Sequence, residues 1–205
     1  MRAARLGVLI ISGIFACGGS ARAVLVDKIL AVVNGELLTL QDFEDDLALR
    51  KIFQPDAAQV DRRQALQRFV DQALLRQEAV RTHIVQVDEA EVSRQLRDLE
   101  QQPEQSAELR RVMQQRGLSR NDMRAWLRHQ LIARAFIDRR VRLFVRVLES
   151  QIVQYYQDNQ QAIGEPLNEA VREQIRRLLT ERQVNARLAE LLDELRKKAN
   201  LEFPP

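Results

Sequence analysis

The spacing of apolar residues changes early in the chain. Val26 to Val33 is rich in aliphatic and β-branched residues, Asn34-Gly35 follows it, and Glu36 to Leu38 would form the returning strand. Both central positions of a type I′ turn need positive φ, which asparagine and glycine tolerate best. The pattern therefore predicts a short β-hairpin at residues 26–38.

Helical spacing replaces the strand pattern from Thr39 onward. Three Ser, Thr or Asp residues stand three positions before an acidic residue, which predicts reciprocal N-terminal caps at Thr39, Asp88 and Ser119. Pro55, Pro103 and the glycines at 117 and 164 mark breaks. The predicted helices cover Thr39 to Phe53, 60–82, 88–102, a short helix ending at Gly117, 119–139, 149–159 and 168–199.

Several apolar residues recur at helical spacing and are expected to face inward. In the first two helices they are Leu40, Phe43, Leu47, Leu66, Phe69, Val70, Ala73, Leu74 and Val80. In the last helix they include Val171, Ile175, Leu178, Leu179, Leu188, Leu192 and Leu195. In residues 140–148 apolar and polar positions alternate poorly, and the pattern fits either a strand or a helix.

A lone hairpin is marginally stable in water. Leu201 to Phe203 is the one late segment that could join it as a strand, so the two ends of the chain are expected to meet. A last helix over 168–199 would be roughly 45 Å long. The sequence thus predicts a mostly α, elongated multi-helix fold with a small N-terminal β-hairpin paired to a short C-terminal strand.

The first 23 residues have the three parts of a secretory signal: a basic start, an apolar run and Ala21-Arg22-Ala23. We expect cleavage after Ala23. Two alternatives remain open, namely an uncleaved membrane anchor and a lipoprotein with its lipid on Cys17. Cys17 is the only cysteine, so the protein cannot form an internal disulfide.

Removing this segment changes the charge. The full chain has a formal net charge of +3, and Arg2, Arg5 and Arg22 supply the whole excess. The mature chain is therefore neutral overall, which argues against nucleic acid as a partner even though Arg134 to Arg146 is rich in arginine.

The sequence contains no recognisable catalytic or metal-binding motif. Its two histidines, His83 and His129, belong to no His-x-x-x-His pair, and no phosphate loop or nucleophile elbow is present. The carboxylates of Asp42, Asp45 and Asp46 fit stabilisation of a helix N-terminus. We therefore expect neither an enzyme nor a bound cofactor or metal.

Flexible and aromatic apolar side chains are the remaining candidates for function. Most such residues belong to a core, yet methionine-bearing grooves also suit varied partners. The candidate peptide-binding residues are Met113, Met123, Trp126, Leu127, Phe136, Phe144, Tyr155 and Tyr156.

Blocks of the sequence resemble SurA-type periplasmic chaperones. "VDKILAVVNGELLTLQDFEDDL" is similar to the first strands and helix of that family, and "GLSRNDMRAWLRHQLIARAFI" to a later helix pair. "VLESQIVQYYQDN" resembles the approach to its isomerase domain, and "PLNEAVREQIRRLLTERQVNARLAELLDELRKKANLEF" its closing helix and strand. The resemblance covers residues 25–203.

This resemblance implies a domain plan. Residues 1–23 would be the signal peptide, 24–159 the N-terminal chaperone helices and hairpin, and 167–205 the helix and strand that complete the same domain. The family usually carries a parvulin isomerase domain in between, where this chain has only residues 160–166. Neither histidine lies in a matching motif, so no isomerase activity is expected.

The function implied is that of an ATP-independent periplasmic chaperone. Its partners would be unfolded or extended polypeptides, chiefly outer-membrane β-barrel precursors, with no integral membrane span after processing. The alternative is an adaptor or lipid-anchored subunit of an envelope assembly with one dedicated partner. Long helices also permit a homodimer.

Overall fold

The computed structural model describes residues 27–53 and 61–204. Several sequence predictions lie outside these residues: the signal peptide at 1–23, the lipidation site Cys17, the start of the first strand at Val26 and the helix stop at Pro55. Within them the fold is mostly α, as predicted. None of the helices in these two stretches is both long and apolar enough to cross a membrane.

Seven helices and three strands follow one another in the described chain. They are β1 (Ile29–Val33), β2 (Glu36–Thr39), α1 (Leu40–Phe53), α2 (Arg62–Thr82), α3 (Glu89–Gln101), α4 (Pro103–Arg116), α5 (Arg120–Arg140), α6 (Glu149–Ile163), α7 (Glu169–Lys198) and β3 (Leu201–Glu202), with a 3₁₀ turn at Arg142–Phe144.

The three strands form one antiparallel sheet in the order β2-β1-β3. Asn34 and Gly35 both have positive φ, at 50° and 87°, as the predicted turn requires. The late strand pairs Leu201 with Val33, and Asn34 N donates to the Asn200 carbonyl at 2.9 Å. The prediction that both ends of the chain meet in one small sheet is confirmed.

The predicted caps are confirmed at two of three helices. At α5 the Asp122 amide donates to Ser119 Oγ at 3.2 Å, and the Ser119 amide donates to Asp122 Oδ2 at 2.8 Å. Thr39 and Asp42 make the same exchange at α1. At α3 the prediction is wrong in part: Asp88 accepts from the Ala90 amide, whereas Glu91 accepts from Gln95 Nε2.

Helix boundaries depart from the predictions in three places. Pro103 begins α4, because its missing N–H is no loss in a first turn. Residues 140–148 form the end of α5, the 3₁₀ turn and an extended stretch. Helix α6 continues to Ile163 beyond its predicted end at Asn159, so only residues 164–168 connect α6 to α7.

Apolar side chains gather in three clusters. The hairpin core joins β1, β2, α2, α5 and α7 through Val33, Leu74, Phe136, Leu195 and their neighbours. The helical core joins α1, α3, α4 and α5 around Leu49, Leu96 and Met123. The α6–α7 core consists of Ile152, Val171 and Ile175 with half-buried neighbours.

Some residues expected to face inward do not. Val80 is 61 % exposed on α2, and Leu178 is exposed on α7. Leu40 and Leu47 are only half-buried, whereas Asp46 and Ile52 are buried in α1 together with Phe43 and Leu49. Helical spacing alone cannot tell which part of an apolar stripe meets a neighbouring element.

Candidate functional site

A large cavity lies between α5 and α7. It has a volume of about 890 Å³ and is bordered by the end of α1, by α2 and by α3 as well. This volume falls within the range of roughly 300–1,000 Å³ that is typical of ligand sites. The apolar side chains that line this α5–α7 groove include Phe53, Leu75, Trp126, Leu131, Ile137 and Leu188.

Trp126 forms one wall of the α5–α7 groove. Its indole stacks on the Phe53 ring with 5.0 Å between centroids and a tilt of 27°. Its Nε1 donates a hydrogen bond to Asp46 Oδ1 at 2.9 Å. These two contacts hold the ring at a fixed angle, so that it offers a preformed apolar surface.

Asp46 anchors a polar network behind Trp126. The carboxylate is 4 % exposed and accepts from Arg50 Nε at 2.6 Å. Gln130 accepts from Gln72 Nε2 at 2.9 Å, and Arg50 also donates to Gln72. No buried side-chain nitrogen or oxygen of this network lacks a partner, which is what allows such a network in an interior.

Charged side chains surround the opening of the α5–α7 groove. Arg142 donates to both oxygens of Glu181 on α7, at 2.6 and 3.2 Å, and to Asp138 on α5 at 3.1 Å. Arg134 and Asn185 complete this polar edge. An apolar interior with a charged edge can take up apolar side chains while its surroundings stay hydrated.

The eight candidate residues named from the sequence do not gather in one place. Met123 is fully buried and Phe136 is 1 % exposed, each inside a core. Leu127 is 4 % exposed and borders the groove from within the helical core. Met113 is half-buried against that core, so Trp126 is the candidate that offers the groove most surface.

The other three candidates lie nearer the C-terminal helices. Phe144 is 62 % exposed in the 3₁₀ turn, and its carbonyl accepts from Arg187 Nη1 at 2.6 Å. Tyr155 and Tyr156 pack half-buried against the α6–α7 core. The Tyr156 hydroxyl donates to the Glu165 carbonyl at 3.0 Å.

Sequence reasoning missed most of the groove-lining residues. Phe53, Leu131, Ile137 and Leu188 belong to apolar stripes of the sequence and were not predicted to line a site. They come together because α7 packs against α2 and lies across the cavity from α5, so that residues far apart in the sequence share one lining. No local pattern reports such a contact.

A smaller cavity of about 390 Å³ lies between the hairpin, α1, α2 and α5. Asp45 lines it and pairs with Arg116, at 2.6 Å from Nε to Oδ1. Burial raises the pKa of Asp45, although the hydrogen bond from Arg116 opposes this. Across residues 27–53 and 61–204, no three His, Cys, Asp or Glu side chains are grouped so as to hold a metal ion.

Comparison with known families gives one match. A family model described as "SurA-like N-terminal domain" matches residues 3–137, which is more than half of the chain. The match ends within α5, so α6, α7 and β3 lie beyond it. No curated protein matches the chain.

Proposed function

Because the chain belongs to the SurA-like N-terminal domain family, we propose that it is an ATP-independent periplasmic holdase. The domain of this family is a chaperone module that takes polypeptide clients. The proposed clients are unfolded envelope proteins, above all outer-membrane β-barrel precursors. The signal-like segment at 1–23 supports export to the periplasm, which is typical of SurA-like domains.

The α5–α7 groove is the observation that carries this proposal. Its apolar lining can bury the side chains of an extended client, at roughly 25 cal/mol per Å² before the cost of ordering the chain. Many weak contacts of this kind release a client without ATP. The fixed ring of Trp126 serves as the main apolar contact, with Leu131 and Leu188 on the facing helices.

The proposed domain plan treats the hairpin, the middle helices and α7 as one unit. Support comes from Leu195 of α7, which packs in the same core as Val33 of β1 and Phe136 of α5. The proposal includes no isomerase activity, since residues 164–168 leave no room between α6 and α7 for a further domain.

Fluorescence of Trp126 tests the groove directly, because it is the only tryptophan in the chain. We expect an extended, tryptophan-free peptide rich in Leu and Phe to shift its emission to shorter wavelength, since the bound peptide removes water from the half-exposed indole. The measurement is a titration of the full chain with this peptide at neutral pH.

The control for that titration is a peptide of the same length with serine at each apolar position. It should leave the emission unchanged. If the apolar peptide binds by anisotropy while Trp126 emission stays constant, clients bind elsewhere and the groove proposal fails. If the chain also leaves client aggregation unaffected, the holdase proposal fails with it.

A second candidate function is that of an adaptor with one dedicated partner. Three large apolar side chains are exposed together in the segment after α5: Leu143 by 72 %, Phe144 by 62 % and Leu148 by 62 %. A permanent partner would cover such a patch. A stoichiometric partner in crosslinked envelope extracts, lost in Phe144→Ser, would favour this function over the holdase.

A further inference from the structure

A concave notch between α2 and α5 shares no lining residue with the α5–α7 groove. Its volume is about 450 Å³, and Val80 and Ile132 form its apolar floor. Arg76, Arg81 and Arg128 stand around it, together with His129 and Gln77. A depression of this size accommodates an apolar side chain and its immediate neighbours in an extended peptide.

Val80 is the unexpected residue in this notch. Helical spacing predicts that it faces inward, yet it is 61 % exposed. The neighbouring Ala79 is fully buried in the hairpin core, so this part of α2 does pack against the core. Val80 lies on the exposed side of the helix and has no place in the apolar clusters of the described chain. An exposed aliphatic residue ringed by cations offers both an apolar contact and charge to an incoming segment.

Arginines supply the fixed charges among the side chains that line the notch. Arg76, Arg81 and Arg128 pair with Glu36, Glu78 and Glu89, but none of these carboxylates lines the cavity. Exposed ion pairs such as Arg81–Glu78 contribute little, so their cations can be shared with a ligand. Burial and then Arg76 lower the pKa of His129, although Glu36 opposes them.

We propose that this notch binds an extended polypeptide segment in which an apolar side chain stands next to a carboxylate. The apolar side chain would cover Val80 and Ile132, and the carboxylate would accept hydrogen bonds from Arg81 or Arg128. The notch would thus be a second client contact, selective for acidic segments, and the inference rests on the proposed chaperone function. A lipid surface fits less well, because Val80 and Ile132 alone supply the apolar side chains of the lining, which is little to insert into a bilayer.

Peptide binding to the full chain tests this inference. Two fluorescent peptides differ only in having Glu or Gln beside each Leu, and their affinities are measured by anisotropy at low salt. We expect the Glu peptide to bind about tenfold more tightly. Arg81→Gln should weaken it about fivefold, and Val80→Ser should weaken both peptides.

Arg111→Gln is the matched control. Arg111 pairs with Glu108 on α4 at the same spacing of three residues as Arg81 with Glu78, and both arginines are largely exposed. This variant should bind the Glu peptide as the unmodified chain does. Circular dichroism of all three variants should be unchanged, because each replaced side chain is mostly exposed.

Three results would overturn the inference. They are equal affinity for the Glu and Gln peptides, equal loss in Arg81→Gln and Arg111→Gln, or binding to anionic phospholipid vesicles without binding to the Glu peptide. Aggregation of an unfolded β-barrel protein is measured in parallel with the unmodified chain. If aggregation is suppressed while the peptide test fails, only the notch is rejected and the chaperone proposal stands.

Discussion

Replacement of Phe136 by alanine is expected to lower the free energy of unfolding by about 3–5 kcal/mol. Phe136 is 1 % exposed and packs in the hairpin core, where α2, α5, α7 and the sheet meet. The substitution removes a whole ring from a site that four elements enclose, so the cavity left behind cannot collapse easily. Urea unfolding followed by circular dichroism measures the loss.

Phe144→Ala is the matched control for this prediction. It removes the same ring from a residue that is 62 % exposed, so its unfolding free energy should change by no more than about 0.5 kcal/mol. Similar losses in the two variants would contradict the assignment of Phe136 to the core. In that case a client-binding defect in Phe136→Ala would indicate that the Phe136 ring contacts the client, and not that the fold is lost.

Asp46→Ala is expected to be the next most damaging change, at about 3 kcal/mol. The substitution leaves the guanidinium of Arg50 and Nε1 of Trp126 without the acceptor they share. A buried cation that loses its counterion costs more than the original pair contributed. Trp126 emission should change as well, because the indole loses its hydrogen bond.

The neighbouring carboxylate provides the control. Burial raises the pKa of Asp45, so its ionised form is less favoured in the folded than in the unfolded chain. Ionisation of Asp45 therefore lowers the free energy of unfolding as the pH rises through the folded pKa. Asp45→Asn has no ionisable group at this position, so this loss is absent from the variant at neutral pH. We expect no loss of stability in Asp45→Asn. If Asp45→Asn lowered the free energy of unfolding as much as Asp46→Ala does, the loss would not be specific to the hydrogen-bond network of Asp46.

Local chemistry allowed much of the fold to be predicted. Asn34-Gly35 needs positive φ at both positions, and Ser119 with Asp122 satisfies the first amides of α5. Both signals act within four residues, so the sequence reports them directly. The addition of a late strand at Leu201 to the hairpin was predictable for a different reason, because an isolated hairpin needs a third strand.

The groove could not be predicted, because it depends on which faces of distant helices meet. Leu188 and Leu131 belong to apolar stripes that look alike along their whole length, yet only part of each stripe borders the cavity. The same limit explains Val80, which continues the stripe of α2 at a point where no element formed by residues 27–53 or 61–204 covers it. Asp46 was predicted to stabilise a helix N-terminus, whereas it is buried and accepts from Trp126, 80 positions away, a contact that leaves no local signal in the sequence.

Aggregation of a urea-diluted β-barrel outer-membrane protein, followed by light scattering, tests the central claim most directly. The chain from Val24 onward should suppress scattering at near-stoichiometric amounts without ATP. Asn185→Trp places a large ring in the groove and should require several times more protein for the same effect. Ala186→Trp alters the next residue of α7, which is exposed and does not line the groove, and should act as the unmodified chain does. Equal suppression by both variants, or none by the folded unmodified chain, would contradict a client-binding groove.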